Sequence, residues 1–161
     1  MSAAQKIIPN LWFDTEAEEA AKFYVSLFDD SEILAVVPYS EVGPGEPGTV
    51  MVVNFRLLGQ EYVAINGGPQ FPFTEAVSFE VRCDTQEEVD RLWNVLTADG
   101  GQEVECGWLK DKYGLSWQVV PKQWVEMVTR SEPRKMQAAF EAMLGMKKLD
   151  IAELERAYDE A

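Results

Sequence analysis

The sequence contains no histidine, only two cysteines, and half as many basic as acidic residues. Without imidazole, the chain lacks the side chain that most often binds transition metals and acts as a base near neutral pH. Cys83 and Cys106 lie too far apart for a CxxC redox or zinc motif, so we expect two reduced thiols. No histidine is present to activate either thiol, and a cysteine nucleophile is therefore not predicted.

The charge balance excludes several kinds of partner. The 28 acidic and 14 basic residues give a net charge of −14, which repels phosphate backbones and anionic lipid. We therefore expect no nucleic-acid partner and no membrane partner.

Long apolar runs and a secretory signal pattern are also lacking, which predicts a cytoplasmic protein. With 161 residues and 47% hydrophobic content, the chain suits one well-packed soluble domain.

A repeat at an offset of 70 residues organises the chain. Residues 14–19, DTEAEE, recur as DTQEEV at residues 84–89, and each copy follows an extended run and opens a helical pattern. Thr15 and Thr85 are predicted to cap these helices, while Glu18 and Glu88 reach back to the N–H of each cap. The repeat predicts one βα unit used twice, and such folds usually place their site between the copies.

The first copy predicts a strand at residues 7–13, with apolar Ile7, Leu11 and Phe13 on one face and Asn10 and Trp12 on the other. Residues 33–37, 50–57 and 61–65 read as further strands, with a tight reversal at residues 58–60 and a loop at 43–48. The predicted helix between the strands at residues 7–13 and 33–37 carries an apolar stripe with helical spacing. The stripe is formed by Ala17, Ala20, Ala21, Tyr24, Leu27 and Phe28.

The second copy repeats this scheme and is followed by a helical tail. Its strands are predicted near residues 77–83, 103–105, 108–110 and 115–120, and its helix ends at Gly100-Gly101. In the first of these strands, one face carries Val77, Phe79, Val81 and Cys83 and the other carries Ser78, Glu80 and Arg82. The tail begins after Pro121 and includes a helix capped by Ser131. We expect it to pack on its own domain rather than on a second subunit.

Several strings, in the same order, resemble the PhnB-like branch of the vicinal oxygen chelate superfamily. They are LWFD at 11–14, FY at 23–24, GQE at 59–61, NGGP at 66–69 and CGWLKDKYGLSWQ at 106–118. The resemblance implies an α+β fold in which two βαβββ modules form an open, cup-shaped eight-stranded sheet. It places the domain at residues 1–121, with modules at about 5–68 and 75–121 and a C-terminal extension at 122–161. It also implies a homodimer with a ligand cavity in each cup.

Members of this branch often carry the label of a demethylubiquinone methyltransferase. A methyltransferase of the common kind needs a glycine-rich turn that follows a parallel strand and opens a helix. The candidate turns here, at residues 43–45 and 66–69, do not open a helix, and their prolines remove backbone donors. We therefore do not predict methyl transfer.

Catalytic members of the superfamily, which includes glyoxalase I and extradiol dioxygenases, hold a metal ion with four side chains of the cup. By resemblance, two of these positions fall on Ser78 and Gln118, and the other two fall near Ile8, with Asn10 next, and near Ala64, with Asn66 next. Neutral amides and a hydroxyl are poor ligands for a divalent transition metal. We therefore predict no metal and no other cofactor.

The predicted cup face combines polar side chains with aromatic rings, which suits a small, partly apolar ligand. The candidate ligand-binding residues are Asn10, Trp12, Asn54, Tyr62, Asn66, Ser78, Glu80, Trp108 and Gln118. Metal-independent binding of a small molecule, of the kind seen in proteins that sequester bleomycin or fosfomycin, is the first hypothesis.

Two other functions stay open from the sequence. In the first, Glu80 is the weak candidate for a catalytic residue, either at a relocated metal site of a lyase or dioxygenase or as a general base. Pairing of Glu80 with Arg56 or Arg82 is the alternative for that carboxylate. In the second, the acidic tail helices dock a partner protein.

Overall fold

The computed structural model describes residues 4–130 and 132–161, and the chain divides into two compact units, one ending at Pro72 and the other beginning at Phe73. The first unit contains β1 (Asn10–Phe13), α1 (Ala17–Leu27), β2 (Glu32–Pro38), β3 (Val50–Leu57) and β4 (Gln60–Asn66). The second contains β5 (Ser78–Cys83), α2 (Gln86–Thr97), β6 (Gln102–Glu103), β7 (Trp108–Lys110), β8 (Ser116–Pro121), α3 (Lys122–Thr129), α4 (Pro133–Leu144) and α5 (Ile151–Asp159).

The two units contain equivalent mixed sheets, which confirms the α+β prediction and the repeated βαβββ unit. The first sheet has the order β1-β4-β3-β2 and the second β5-β8-β7-β6. In each, the first strand pairs parallel with the last, and the remaining neighbours are antiparallel. The helix between the first two strands supplies the crossover that a parallel pair requires.

The predicted helical stripe forms the core of the first unit. Helix α1 packs on β2, β3 and β4. Its stripe residues from Ala17 to Leu27 are buried, together with Leu11 and Phe13 of β1 and Val53 and Phe55 of β3. The small alanine side chains let the helix lie close to the sheet, where the larger strand residues fill the interface.

Strand β1 is shorter than predicted. The ladder with β4 starts at Asn10 opposite Val63, and Ile7, which was predicted on the buried face, is 86% exposed. Pro9 has no N–H to donate, although its carbonyl still accepts from Val63 N–H at 3.0 Å. The pairing therefore begins after the proline. The turn at Leu58-Gly59 has positive φ values of 49° and 81° and reverses the chain as predicted.

The repeated helix starts differ in how their first N–H groups are satisfied. In the second copy, Thr85 Oγ1 accepts from Glu88 N–H at 3.2 Å, as predicted, and Glu88 accepts from Asp84 N–H rather than from Thr85 N–H. In the first copy the prediction is wrong. Helix α1 begins after Glu16 without a side-chain cap from Thr15.

The C-terminal helices belong to the second compact unit, as expected for a tail that packs on its own domain. Their buried cluster includes Met127, Leu149, Leu154 and Tyr158. Backbone bonds also join the tail to the sheet region, since Cys106 N–H donates to the carbonyl of residue 146 at 2.8 Å. Ser131, the expected cap of α4, lies outside the described residues. Within the described residues, no helix is both long and apolar enough to span a membrane.

Candidate functional site

Three predicted ligand-binding residues share one face of the first sheet. Asn10 and Trp12 alternate with buried residues of β1, and Asn54 does the same on β3. Asn10 and Asn54 both lie beside Val63 of the intervening strand β4. Because alternate strand residues point to opposite faces, these three side chains lie on the face away from α1.

Tyr62 and Asn66 lie on the other face of that sheet, which corrects the prediction that groups them with Asn10. They flank Ala64, which is completely buried on the α1 side. Tyr62 stacks on Phe55 at 5.6 Å between ring centroids, and burial raises the pKa of its phenol. Both residues contribute to the core side of the unit rather than to the polar face.

Both amide atoms of the Asn66 side chain form hydrogen bonds to the backbone. Its Oδ1 accepts from the N–H of Ala17 at 2.8 Å, and its Nδ2 donates to the carbonyl of Val50 at 3.0 Å. The hydroxyl of Tyr39 donates to the Asn66 carbonyl. Asn66 therefore supplies the acceptor that Thr15 does not provide at the start of α1.

Trp12 is held in place by the segment that follows β4. Its Nε1 donates to the carbonyl of Gly68 at 2.9 Å, and its ring meets Phe71 edge-on at 5.0 Å between centroids. A Cβ at Gly67 would collide with the indole. Asn10 is exposed, and its Nδ2 donates to the carbonyl of Ile8 at 3.0 Å. A rigid tryptophan therefore stands beside a solvent-facing amide.

The second sheet brings together the other four predicted residues on the face away from α2. Gln118 of β8 lies directly between Glu80 of β5 and Trp108 of β7. Gln118 Nε2 donates to Ser78 Oγ at 2.9 Å. Ser78, Trp108 and Gln118 are half-buried. The polar groups of Ser78 and Gln118 therefore remain partly accessible on the face that carries the Trp108 ring.

Glu80 pairs with Arg82, as the alternative interpretation predicts. Arg82 Nε donates to the Glu80 carboxylate at 2.9 Å, and both side chains are partly exposed. Arg56, the other proposed partner, instead pairs with Glu32 at 2.9 Å across β2 and β3. The Glu80 carboxylate is therefore already engaged by a guanidinium of its own strand.

The donor set at the superfamily's metal positions does not fit a divalent metal ion. Ser78 and Gln118 are neutral and are hydrogen-bonded to each other. Asn10 is exposed, and the fourth position falls on buried Ala64, which has no donor atom, and on Asn66, whose side chain is already bonded. Across the described residues, no group of three or more acidic or cysteine side chains has the geometry to hold a metal ion.

Two residues of the second sheet were not predicted. Ser116 lies between Ser78 and Lys110 on the same face as Gln118, and it is only 1% exposed. Lys110 forms an ion pair with Glu75. The hydrogen bond that Lys110 donates in this pair lowers the pKa of the Glu75 carboxyl. Strand alternation could have placed both residues on this face. Ser116 is two residues before Gln118 on β8, and Lys110 is two residues after Trp108 on β7.

A cavity of about 660 Å³ lies elsewhere, at the start of α1 in the first unit. Of the predicted site residues it includes only Asn66, and its charged lining residues are all acidic: Asp14, Glu18, Glu19 and Glu46. The cavity and the polar faces are therefore different places. The polar face of each sheet, which carries positions that the resemblance assigns to ligand binding, is the candidate site of its unit.

Residues 5–120 match the sequence profile of the family described as 3-demethylubiquinone-9 3-methyltransferase. The PhnB protein from Bacillus cereus has a solved structure that is 43% identical, with 73% of this chain and 99% of that chain covered and a TM-score of 0.67. The chain belongs to the PhnB-like family of the vicinal oxygen chelate superfamily. The profile match ends at residue 120, before the three C-terminal helices of this PhnB-like chain.

More distant solved structures share the fold. Protein PA1353 from Pseudomonas aeruginosa is 21% identical, with 73% of this chain and 98% of that chain covered and a TM-score of 0.60. The fosfomycin resistance protein FosX from Listeria monocytogenes is 14% identical, with 80% of this chain and all of that chain covered and a TM-score of 0.54. A comparison with curated proteins finds no match to this PhnB-like sequence.

Proposed function

We propose that this PhnB-like protein binds a small, partly apolar molecule on the polar and aromatic face of a sheet and needs no resident metal ion. The observation that carries the proposal is the hydrogen bond of 2.9 Å from Gln118 to Ser78 at two of the superfamily's metal positions. Neither group carries a negative charge to hold a divalent transition metal, and the Ser78 oxygen already accepts from the Gln118 amide. They still have hydrogen-bonding capacity for a ligand beside the ring of Trp108.

The first sheet supports the same proposal. Asn54 offers an amide on the face away from α1, and Trp12 offers a ring whose position is fixed by its bond to Gly68. A rigid aromatic surface binds apolar groups with little loss of conformational freedom, while a few amides orient the polar atoms. This combination favours an aromatic or otherwise planar ligand.

The test is a titration of the dialysed protein with four small aromatic compounds: benzoate, phenylphosphonate, benzamide and benzyl alcohol. We expect at least one to shift the indole N–H resonances of Trp12 or Trp108. Gln118→Leu should weaken that binding, while Gln137→Leu, which changes an exposed amide of α4, should not. If none of the four compounds binds at millimolar concentration, small-molecule binding on these faces is overturned.

Metal independence has a separate readout. Elemental analysis of the purified, dialysed protein should find no transition metal at one ion per chain. A stoichiometric ion that is lost in Gln118→Leu would overturn the metal-free part of the proposal. It would instead favour the lyase or dioxygenase alternative, for which Glu80 is the available acid on this face.

The proposal includes a homodimer in the cytoplasm. Both cysteines are free thiols, which suits a reducing compartment. Edge strand β2 exposes Leu34, Val36 and Val37 to about two fifths of their surface, and a second chain would cover such an edge. Light scattering should give twice the chain mass for the wild type and the monomer mass for Val36→Lys. A wild-type monomer at micromolar concentration would contradict the dimer.

A further inference from the structure

A straight row of three side chains crosses the second sheet at one level. Ser116 of β8 is the direct partner of Ser78 on β5 and of Lys110 on β7. Direct cross-strand partners point to the same face, with their Cβ atoms about 5 Å apart. The side chains of one lysine and two serines therefore start side by side on this face, next to the row that contains Gln118 and Trp108.

The middle member of this row is a buried hydroxyl without a partner. Ser116 is 1% exposed, and its Oγ has no hydrogen-bond partner among the described residues. Leaving a buried hydroxyl unpaired costs free energy, and most such groups in native proteins are satisfied. The Ser116 hydroxyl is therefore an unpaired donor buried on the same strand face as Gln118.

The hydroxyl of Ser78 also keeps its donor available. Its oxygen accepts from Gln118 Nε2 at 2.9 Å, so the bond uses a lone pair and leaves the hydroxyl hydrogen free to donate outward. Together with Ser116 and Lys110, the row can direct two O–H donors and one ammonium at a single group. A group that accepts from all three, and carries negative charge, matches them best.

The protein already places such a group on Lys110. The carboxylate of Glu75, in the segment just before β5, forms an ion pair with Lys110. The Glu75 side chain is 60% exposed and the Lys110 side chain 31% exposed, so the carboxylate approaches from the solvent side. An exposed ion pair of this kind contributes little to stability and is easily exchanged for another anion.

We infer that Lys110, Ser116 and Ser78 bind an oxyanion group, a carboxylate or a phosphonate, of the small molecule, and that Glu75 occupies Lys110 until this ligand displaces it. This inference rests on the proposed function, because it names the chemical class of the ligand of the same face. The anionic group lies on the row of Ser116, and the apolar part of the ligand lies toward Trp108. The protein's net charge of −14 opposes general anion binding, so binding depends on this row.

The test compares benzoate and phenylphosphonate with benzamide, which has the same ring and no charge, at constant ionic strength. We expect one of the anions to bind the wild type at least about tenfold more tightly than benzamide. Lys110→Met should remove this preference. Lys22→Met, which removes an equal charge from an exposed ion pair on α1, should retain it. Binding of phenylphosphonate alone or benzoate alone distinguishes the two anion classes.

Glu75→Gln supplies the decisive comparison. Removing the internal carboxylate should raise affinity for the anion roughly two- to fivefold, which is the worth of an exposed ion pair. Glu18→Gln makes the same change in net charge by breaking the exposed pair with Lys22, and it should give a much smaller increase. Equal increases in the two variants would show a general charge effect and would overturn the role of Glu75.

Ser116→Ala separates ligand binding from a structural role. Because the hydroxyl has no partner, its loss should leave the urea midpoint unchanged or raise it, while anion binding weakens several-fold. A destabilised variant with unchanged anion affinity would overturn the inference. Absence of anion binding in both the wild type and Glu75→Gln would also overturn it, whereas the proposed function would still stand if benzamide or benzyl alcohol binds.

Discussion

The side-chain oxygen of Asn66 accepts the backbone N–H of Ala17 at 2.8 Å, which ties the end of β4 to the first turn of α1. The Asn66 amide also donates to the Val50 carbonyl at 3.0 Å. One side chain therefore bonds to the first residue of α1 and to the first residue of β3, which are far apart in the sequence.

Asn66→Ala should lower the free energy of unfolding by about 1–3 kcal/mol, because two partly buried backbone groups lose their partners. Asn66→Asp should be intermediate, since it keeps an acceptor for Ala17 and loses the donor to Val50. Urea denaturation measures both. Asn10→Ala, which removes an exposed amide, is the control and should change stability by less than about 0.5 kcal/mol. Equal losses in Asn10→Ala and Asn66→Ala would contradict the structural role.

The same contact shows where prediction from the sequence ends. The two copies of the repeat share a threonine at the same place, and local rules predict two equal caps. Thr85 does cap α2, whereas α1 receives its acceptor from Asn66, 49 residues beyond Ala17. Alternation and helical spacing act locally and predicted the elements of both copies. A contact that tertiary folding brings together left no local pattern to recognise.

The strand faces of the candidate residues were predicted only in part for the same reason. Alternation correctly placed Asn10, Trp12 and Asn54 on one face, because each lies in a strand whose neighbours are clearly apolar. Alternation failed for Tyr62 and Asn66, because β4 contains apolar residues on both faces. Which face of β4 is buried depends on where α1 packs. Ser116 was missed because a serine between apolar residues gives no sign that its hydroxyl lacks a partner.

Asp111 organises the turn before β8 and should be sensitive to substitution. It is 2% exposed, and its oxygens accept from the N–H groups of Tyr113 at 2.9 Å and Leu115 at 3.1 Å and from Trp117 Nε1 at 2.9 Å. Asp111→Ala leaves these donors without this acceptor and should cost about 3 kcal/mol or more. Thermal unfolding measures the loss. Asp14→Ala, at an exposed position, should be close to wild type, and a similar tolerance at Asp111 would contradict this assignment.

The two thiols should differ in reactivity. Cys83 is completely buried, and this burial, with a smaller effect from the charge of Glu88, raises the pKa of its thiol from 9.0 to about 12. Because the thiolate is the reactive form, Cys83 should react with a disulfide reagent at pH 8 only after unfolding. Cys106, which is partly exposed, should react in the native protein. Rapid reaction of two thiols per native chain would contradict this.

The raised thiol pKa also predicts a change of stability with pH. Below pH 9 the thiol is protonated in both the native and the unfolded chain. As the pH rises from 9.0 toward about 12, the unfolded chain loses this proton and the native chain keeps it, so stability falls. Urea midpoints at pH 8 and pH 10.5 should therefore decrease more in the wild type than in Cys83→Ala. Parallel decreases would exclude a contribution from Cys83.

Gly67 should be required for the position of Trp12. A Cβ at residue 67 would collide with the indole. The backbone here has little room to move, because Gly67 N–H donates to the Phe13 carbonyl at 2.9 Å and the Gly68 carbonyl accepts from Trp12 Nε1 at 2.9 Å. Gly67→Ala should therefore shift the tryptophan emission and weaken ligand binding while the fold survives. Gly145→Ala is the matched control, because its new Cβ meets only the Ala142 carbonyl at an ordinary 3.7 Å. Unchanged fluorescence and binding in Gly67→Ala would show that Trp12 does not depend on this glycine.

The C-terminal helices should stabilise the second unit rather than act as a separable docking module. Leu154 of α5 is completely buried in the cluster that contains Leu149 and Tyr158, and Gln86 of α2 donates to the Leu149 carbonyl at 3.1 Å. Leu154→Ala should therefore cost about 2–5 kcal/mol by creating a cavity. Leu144→Ala, at a position 55% exposed, should cost less than about 1 kcal/mol.

A chain that ends at Pro121 should lose the cooperative unfolding of the second unit, as measured by circular dichroism. If that truncated chain unfolds at the wild-type midpoint, the tail is dispensable for folding. The alternative in which its acidic helices dock a partner would then gain support, because the packing of the tail on this unit would contribute nothing to its stability.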